Sequence, residues 1–109
     1  MSEQKHTPGP WRIGTPGPNG CYTVGTERGL MTAMIAHSIN EPDQVEQAEA
    51  DAKLIAASPE LLQMLSALEC DINTMAYCCD RKPENFWRAM AVAKENAIHA
   101  RAAIAKATQ

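Results

Sequence analysis

Aromatic side chains are scarce here: they make up 5% of the sequence, and Phe occurs once. Apolar residues reach 45%, but much of that is alanine. Burying an alanine methyl gains far less than burying Leu or Phe, which is worth about 1.5–3 kcal/mol. A lean core carried on long helices implies that a second copy completes some apolar surface, so a homo-oligomer through the helices is expected. Long apolar runs are also missing. No stretch approaches the ~18 residues of a membrane span, and the opening MSEQKHTPGPW has no apolar signal-peptide core. The expectation is a protein that makes no membrane contact and carries no export signal. Clustered basic charge is lacking as well: 10 Lys/Arg and 13 Asp/Glu are scattered, for a formal net charge of −3. That argues against tracking a nucleic-acid backbone, and the acidic residues are too dispersed to imitate one. The four cysteines (Cys21, Cys70, Cys78, Cys79), with no export signal, read as reduced thiols.

What is present divides sharply along the chain. All six glycines and four of the seven prolines fall within the first 29 residues. That composition means turns, so a β-region is expected at 10–40, after a loose arm at 1–9. Pro10–Gly14 suits a short edge strand that begins on a proline. Thr15–Gly20 reads as a stiff connector ending in an Asn-Gly turn. Cys21–Thr26 and Leu30–Ile39 are rich in β-formers, and Thr26–Gly29 joins them as a hairpin loop with Gly29 in the left-handed position. Together they predict a three-stranded antiparallel meander, too small to stand without helices behind it.

Asn40-Glu41-Pro42-Asp43 ends the sheet and opens a first helix at 43–58, with a narrow apolar stripe of Val45, Ala48, Ala52, Leu54 and Ile55. Ser58-Pro59-Glu60 predicts a break. Ser is a good N-cap, Pro suits the first helical position, Glu favours the helix dipole, and the residue before a proline is pushed out of helix. The second helix, 59–80, repeats Leu61, Leu65, Leu68, Ile72, Met75 and Cys79 at steps of four and three. Asp80–Pro83 forces a reversal. The third helix, 84–107, has a matching seam of Phe86, Met90, Ala93, Ala97, Ala100 and Ile104. So short a connector makes the two an antiparallel αα-hairpin. The fold class is therefore α+β: a single domain, 1–109, with an N-terminal three-stranded antiparallel meander packed on a short helix and a long antiparallel αα-hairpin.

The glycines of 14–20 do not make a phosphate-cradling loop, because the prolines among them delete amide donors and a strand follows. Cys70, Cys78 and Cys79 lack the paired spacing of a zinc site. On a helix Cys79 faces the seam and Cys78 points about 100° away, so the pair does not chelate one ion and buried apolar cysteines are the expected reading. His6, His37 and His99 sit in an arm, a strand and a helix. No paired-carboxylate signature, nucleophile elbow or nucleotide-fold fingerprint is found, so no catalytic residue, metal or cofactor is assigned. Trp87 is expected to close the end of the helical core. Trp11, between a proline-rich arm and an edge strand, either packs on the sheet or stacks on a ligand. His6, Arg12 and Arg28 in the same region, with Lys53 on the central helix, would complete a small anionic pocket around it.

Two segments carry a resemblance. His6-Thr7-Pro8-Gly9-Pro10-Trp11 and Ala52–Leu62 (AKLIAASPELL) resemble motifs of a group of small phage and prophage proteins, which open with H-T-P-G-P-W and later carry a stretch close to N-A-R-L-I-A-A-A-P-E-L-L. Here Asp51 stands for Asn, Lys53 for Arg and Ser58 for the third Ala. The resemblance implies a phage or prophage origin and hence the bacterial cytoplasm; it implies no activity and no functional residues. With that origin, the expected function is a non-enzymatic accessory protein that binds and inhibits a host protein, such as a component of anti-phage defence. The alternative is an oligomeric sponge for a small anionic signalling nucleotide, held by His6, Trp11, Arg12, Arg28 and Lys53.

Overall fold

The structure, a computed structural model, describes residues 5–16, 21–35 and 42–109. Three short strands come first: β1 (Trp11–Ile13), β2 (Tyr22–Thr26) and β3 (Met31–Ile35). They lie in the order β1-β2-β3, both pairings antiparallel, with Ile13 opposite Val24 and Val24 opposite Ala33. This is the expected meander. Gly29 closes the hairpin with φ at 88°, and its amide donates to the Thr26 carbonyl at 3.0 Å. A bulge between Val24 and Gly25 sets Met31 opposite Gly25, which bends the ladder locally. Positions 17–20 and 36–41 lie outside the described residues. With them go the Asn-Gly turn, the Ala36–Ile39 end of the expected third strand, His37 and the Asn40-Glu41 helix opening.

One helix, α1 (Pro42–Arg81), runs for 40 residues where two were expected, with Pro59 inside it. The break predicted at Ser58-Pro59 does not occur. A proline here cannot give the Ile55 carbonyl its helical bond, at a cost of about 3 kcal/mol. Instead of capping a new helix, the Ser58 hydroxyl donates back to the Leu54 carbonyl at 3.0 Å. The N-terminal segment seats on the proline ring so closely that a Cβ on Gly9 would lie 2.8 Å from Pro59 Cβ. Strong helix formers flank the proline on both sides, and Ala48, Ala52, Ala56 and Ala57 are buried. Their packing outweighs one missing bond. The arm expected to be loose over 1–9 is thus docked at Gly9. It is docked again at Thr7, whose carbonyl accepts the Trp11 indole N–H at 3.1 Å. The two segments that carried the resemblance meet in space at Gly9 and Pro59.

After α1, a 3-10 turn at Pro83–Asn85 leads into α2 (Phe86–Thr108). The chain forms two compact units: Met1–Glu60 with Ala105–Gln109, and Leu61–Ile104. In the first, the sheet lays one face on α1. Val24, Ala52 and Ala56 form the buried centre, with Trp11, Tyr22, Ala33, Ile35 and Ile55 packed around it. The Lys106 ammonium stands 2.8 Å from Glu60 at the surface, a pair worth at most about 1 kcal/mol.

The second unit is the expected antiparallel hairpin, but its seam is turned. On α1 the shielded positions are Leu61, Met64, Ala67, Leu68, Asp71, Met75 and Cys78; on α2 they are Phe86, Ala89, Met90, Ala93, Asn96, Ala100 and Ala103, Met90 among those expected there. Leu65 and Ile72, expected inside, are 67% and 66% exposed. Ala97 and Ile104 are exposed too. Cys78 is buried and Cys79 exposed, the reverse of the expectation. At 100° per residue, each seam is rotated by about 50° from the pattern of its large apolar residues. The physical reason is a polar pair in the seam: Asn96 Nδ2 donates to Asp71 Oδ2 at 2.8 Å. Such a pair fixes register across two helices. Trp87 does not close the core. It is 74% exposed, its ring edge-on to the half-buried Phe86 at 5.5 Å, and Phe86 takes the closing position.

Candidate functional site

Alternation along the strands sends Trp11, Tyr22, Val24, Ala33 and Ile35 toward α1. The same alternation puts Arg12, Thr23, Gly25 and Met34 on the opposite face, and the bulge adds Met31 opposite Gly25. Thr23 is held by its own hydroxyl, which donates to the Thr15 carbonyl at 2.7 Å. This outer face holds a shallow cleft of about 480 Å³, lined by Arg12, Gly14, Thr23, Gly25 and Met31 among others. A second cleft, about 510 Å³, lies between the arm and the β2–β3 turn and is lined by Thr7, Pro8, Pro10, Thr26, Arg28 and Leu30 among others. Thr26 lines both. Around them Leu30, Met31 and Met34 are 58%, 57% and 49% exposed.

The five residues expected to form one anionic pocket are dispersed within this unit. His6 and Trp11 do meet, ring edge to ring face at 6.4 Å between centroids. Trp11 is half-buried against the Val24–Ala52–Ala56 centre, and its indole N–H is taken by Thr7. Arg12 lines the first cleft, and its guanidinium reaches the Glu27 carbonyl at 3.5 Å. Arg28 lines the second cleft. Lys53 is elsewhere: it pairs with Glu49 at 3.7 Å and borders an acidic depression with Glu46 and Asp51. Arg12 and Arg28 thus line separate clefts that share Thr26, while Lys53 lines neither. Among the described residues, no three His, Cys, Asp or Glu side chains are grouped to hold a metal ion.

Sequence reasoning missed Leu30, Met31 and Met34 as surface. The signal was present. An antiparallel strand with one wet face should alternate apolar with polar, yet Leu30–Ile35 reads LMTAMI, apolar on both faces.

A helix-backed three-stranded sheet followed by an antiparallel hairpin defines an α+β protein, with Met31 and Arg12 lining a cleft on the outer face of the sheet. The profile of the Salmonella phage P22 protein Y8K6 family matches residues 1–109, and the chain belongs to that family. It is thus a small phage protein. No curated protein and no solved structure matches the chain. Among the described residues no helix is long and apolar enough to cross a membrane.

Proposed function

We propose that this phage protein is a non-enzymatic accessory factor that acts in the bacterial cytoplasm by binding and inhibiting a host protein, through the outer face of its sheet. The supporting observation is the exposure of Met31, in one cleft with Arg12, and of Met34 on the same face of the sheet. Flexible, polarizable methionines suit adaptable contact surfaces, and a few apolar anchors beside an arginine supply most of the energy of a typical interface. The test is affinity capture from a host lysate with the wild type and with Met31→Glu/Met34→Glu, each checked for folding by circular dichroism. The expected result is one dominant host protein retained by the wild type and lost, by about tenfold or more, with the folded variant. Equal capture by both would remove the sheet face from the reading.

One observation favours a second reading, the nucleotide sponge. Arg12 and Arg28 line adjoining clefts of about 480 and 510 Å³, within the size range of small-ligand sites. In that case cyclic or ADP-ribose-type nucleotides raise the melting temperature by mass action, Arg12→Ala and Arg28→Ala each abolish the shift, and the ligand is recovered intact. No shift across the panel eliminates the sponge.

A further inference from the structure

The leucine seams in the sequence and the surfaces buried within the hairpin do not coincide. On α1, Leu61, Leu68 and Met75 are shielded, while Leu65, Ile72 and Cys79, each seven residues from the next, are exposed. On α2, Phe86, Met90, Ala93 and Ala100 are shielded, while Ala97 and Ile104, seven apart and in the same row as Met90, are exposed. Each exposed row stands roughly 70° around its helix from the hairpin contact. Because the helices are antiparallel, the same sense of rotation on each brings both rows to the same side. Unit Leu61–Ile104 therefore presents one continuous apolar face, in addition to its own seam. Ala97, exposed in this row, is small enough to let a further helix come close. This is the geometry of half a four-helix bundle.

The charges bordering that face indicate what covers it. Just beyond the apolar row, α1 carries Glu69 and Asp80, and α2 carries Lys94 and Arg101. The Asp71–Asn96 hydrogen bond sets their levels. At about 1.5 Å per residue, Glu69 falls between the levels of Lys94 and Arg101. A two-fold axis along the bundle preserves those levels. It brings Glu69 on α1 of one copy between Lys94 and Arg101 on α2 of the other, twice over. Laying α1 on α1 would instead oppose acid to acid. The face is complementary to itself in one arrangement.

We propose that a second copy of this chain covers the face, giving a two-fold four-helix bundle in which α1 of each copy lies against α2 of the other. This does not depend on the host-protein reading. The test is light scattering coupled to size-exclusion chromatography, followed by sedimentation equilibrium for dissociation constants. The wild type is expected to be a dimer at about 10 µM. Leu65→Glu/Ile72→Glu changes only exposed side chains, so helicity should be retained while the dimer is lost. Glu69→Arg and Arg101→Glu should each weaken dimerisation by about tenfold, and the double reversal should return it to within about threefold of wild type. A wild-type monomer at about 200 µM, or a dimer indifferent to Leu65→Glu/Ile72→Glu, overturns the proposal. A double reversal as weak as the sum of its parts overturns the pairing of α1 with α2.

Discussion

Gly25→Ala should cost about 3 kcal/mol and lower the melting temperature by roughly 12 °C or more. A Cβ at this position would lie 2.5 Å from the Leu30 carbonyl oxygen and 3.2 Å from its carbon. That oxygen cannot move away cheaply, because it accepts the Thr26 amide at 3.0 Å. The same turn is tied again by the Leu30 amide donating to the Thr26 hydroxyl at 3.3 Å. The substitution therefore either opens the β2–β3 hairpin or displaces β2, which carries Val24 into the core. Gly29→Ala is the contrasting control: nothing lies within 4 Å of its Cβ position, so only the left-handed backbone is penalised, by about 1–2 kcal/mol. Urea melts of the two variants check the ordering. Equal and small losses would show that the hairpin relaxes without effort.

Trp11→Ala is expected to cost about 2–3 kcal/mol, below the 3–5 of a fully buried tryptophan because this one is half-buried. It removes packing on the Val24–Ala52–Ala56 centre, the bond to the Thr7 carbonyl and the edge contact with His6. Trp11→Phe keeps most of the packing and gives up the hydrogen bond, for a loss of about 1 kcal/mol. The pair decides between the two roles weighed for this residue. A core tryptophan shows graded destabilisation in the absence of any ligand. An unchanged urea midpoint for Trp11→Ala would assign the side chain to recognition rather than to the fold.

Legibility in the sequence followed the range of the interactions concerned. Gly29, the proline-started edge strand at Trp11 and the reversal at Pro83 are local decisions, set by residues within a turn of one another, and all three were readable. Pro59 was misread because its local preference for starting a helix competes with packing contributed by Gly9, fifty positions earlier. The seam was misplaced by about 50° because large apolar residues define a hydrophobic direction without stating how many partners share it. Asn96 and Asp71 settle the question across 25 residues, and neither stands out in a hydrophobicity pattern. The candidate site fared worse. His6 and Trp11 are in ring contact, but the side chains of Arg12, Arg28 and Lys53 diverge according to strand alternation and helix phase, which composition does not carry.

Residues Ala105–Gln109 belong to the same compact unit as Met1–Glu60, and this has a temporal consequence. On the ribosome those five residues emerge after every other part of both units. The Leu61–Ile104 hairpin, built from contacts between neighbouring stretches, has all its material earlier and closes over short loops. The other unit, though most of it is made earlier, is complete only when Lys106 has reached Glu60 and Ala107 is buried. Translation that stops short of position 105 would therefore impair the unit of Met1–Glu60 more than that of Leu61–Ile104.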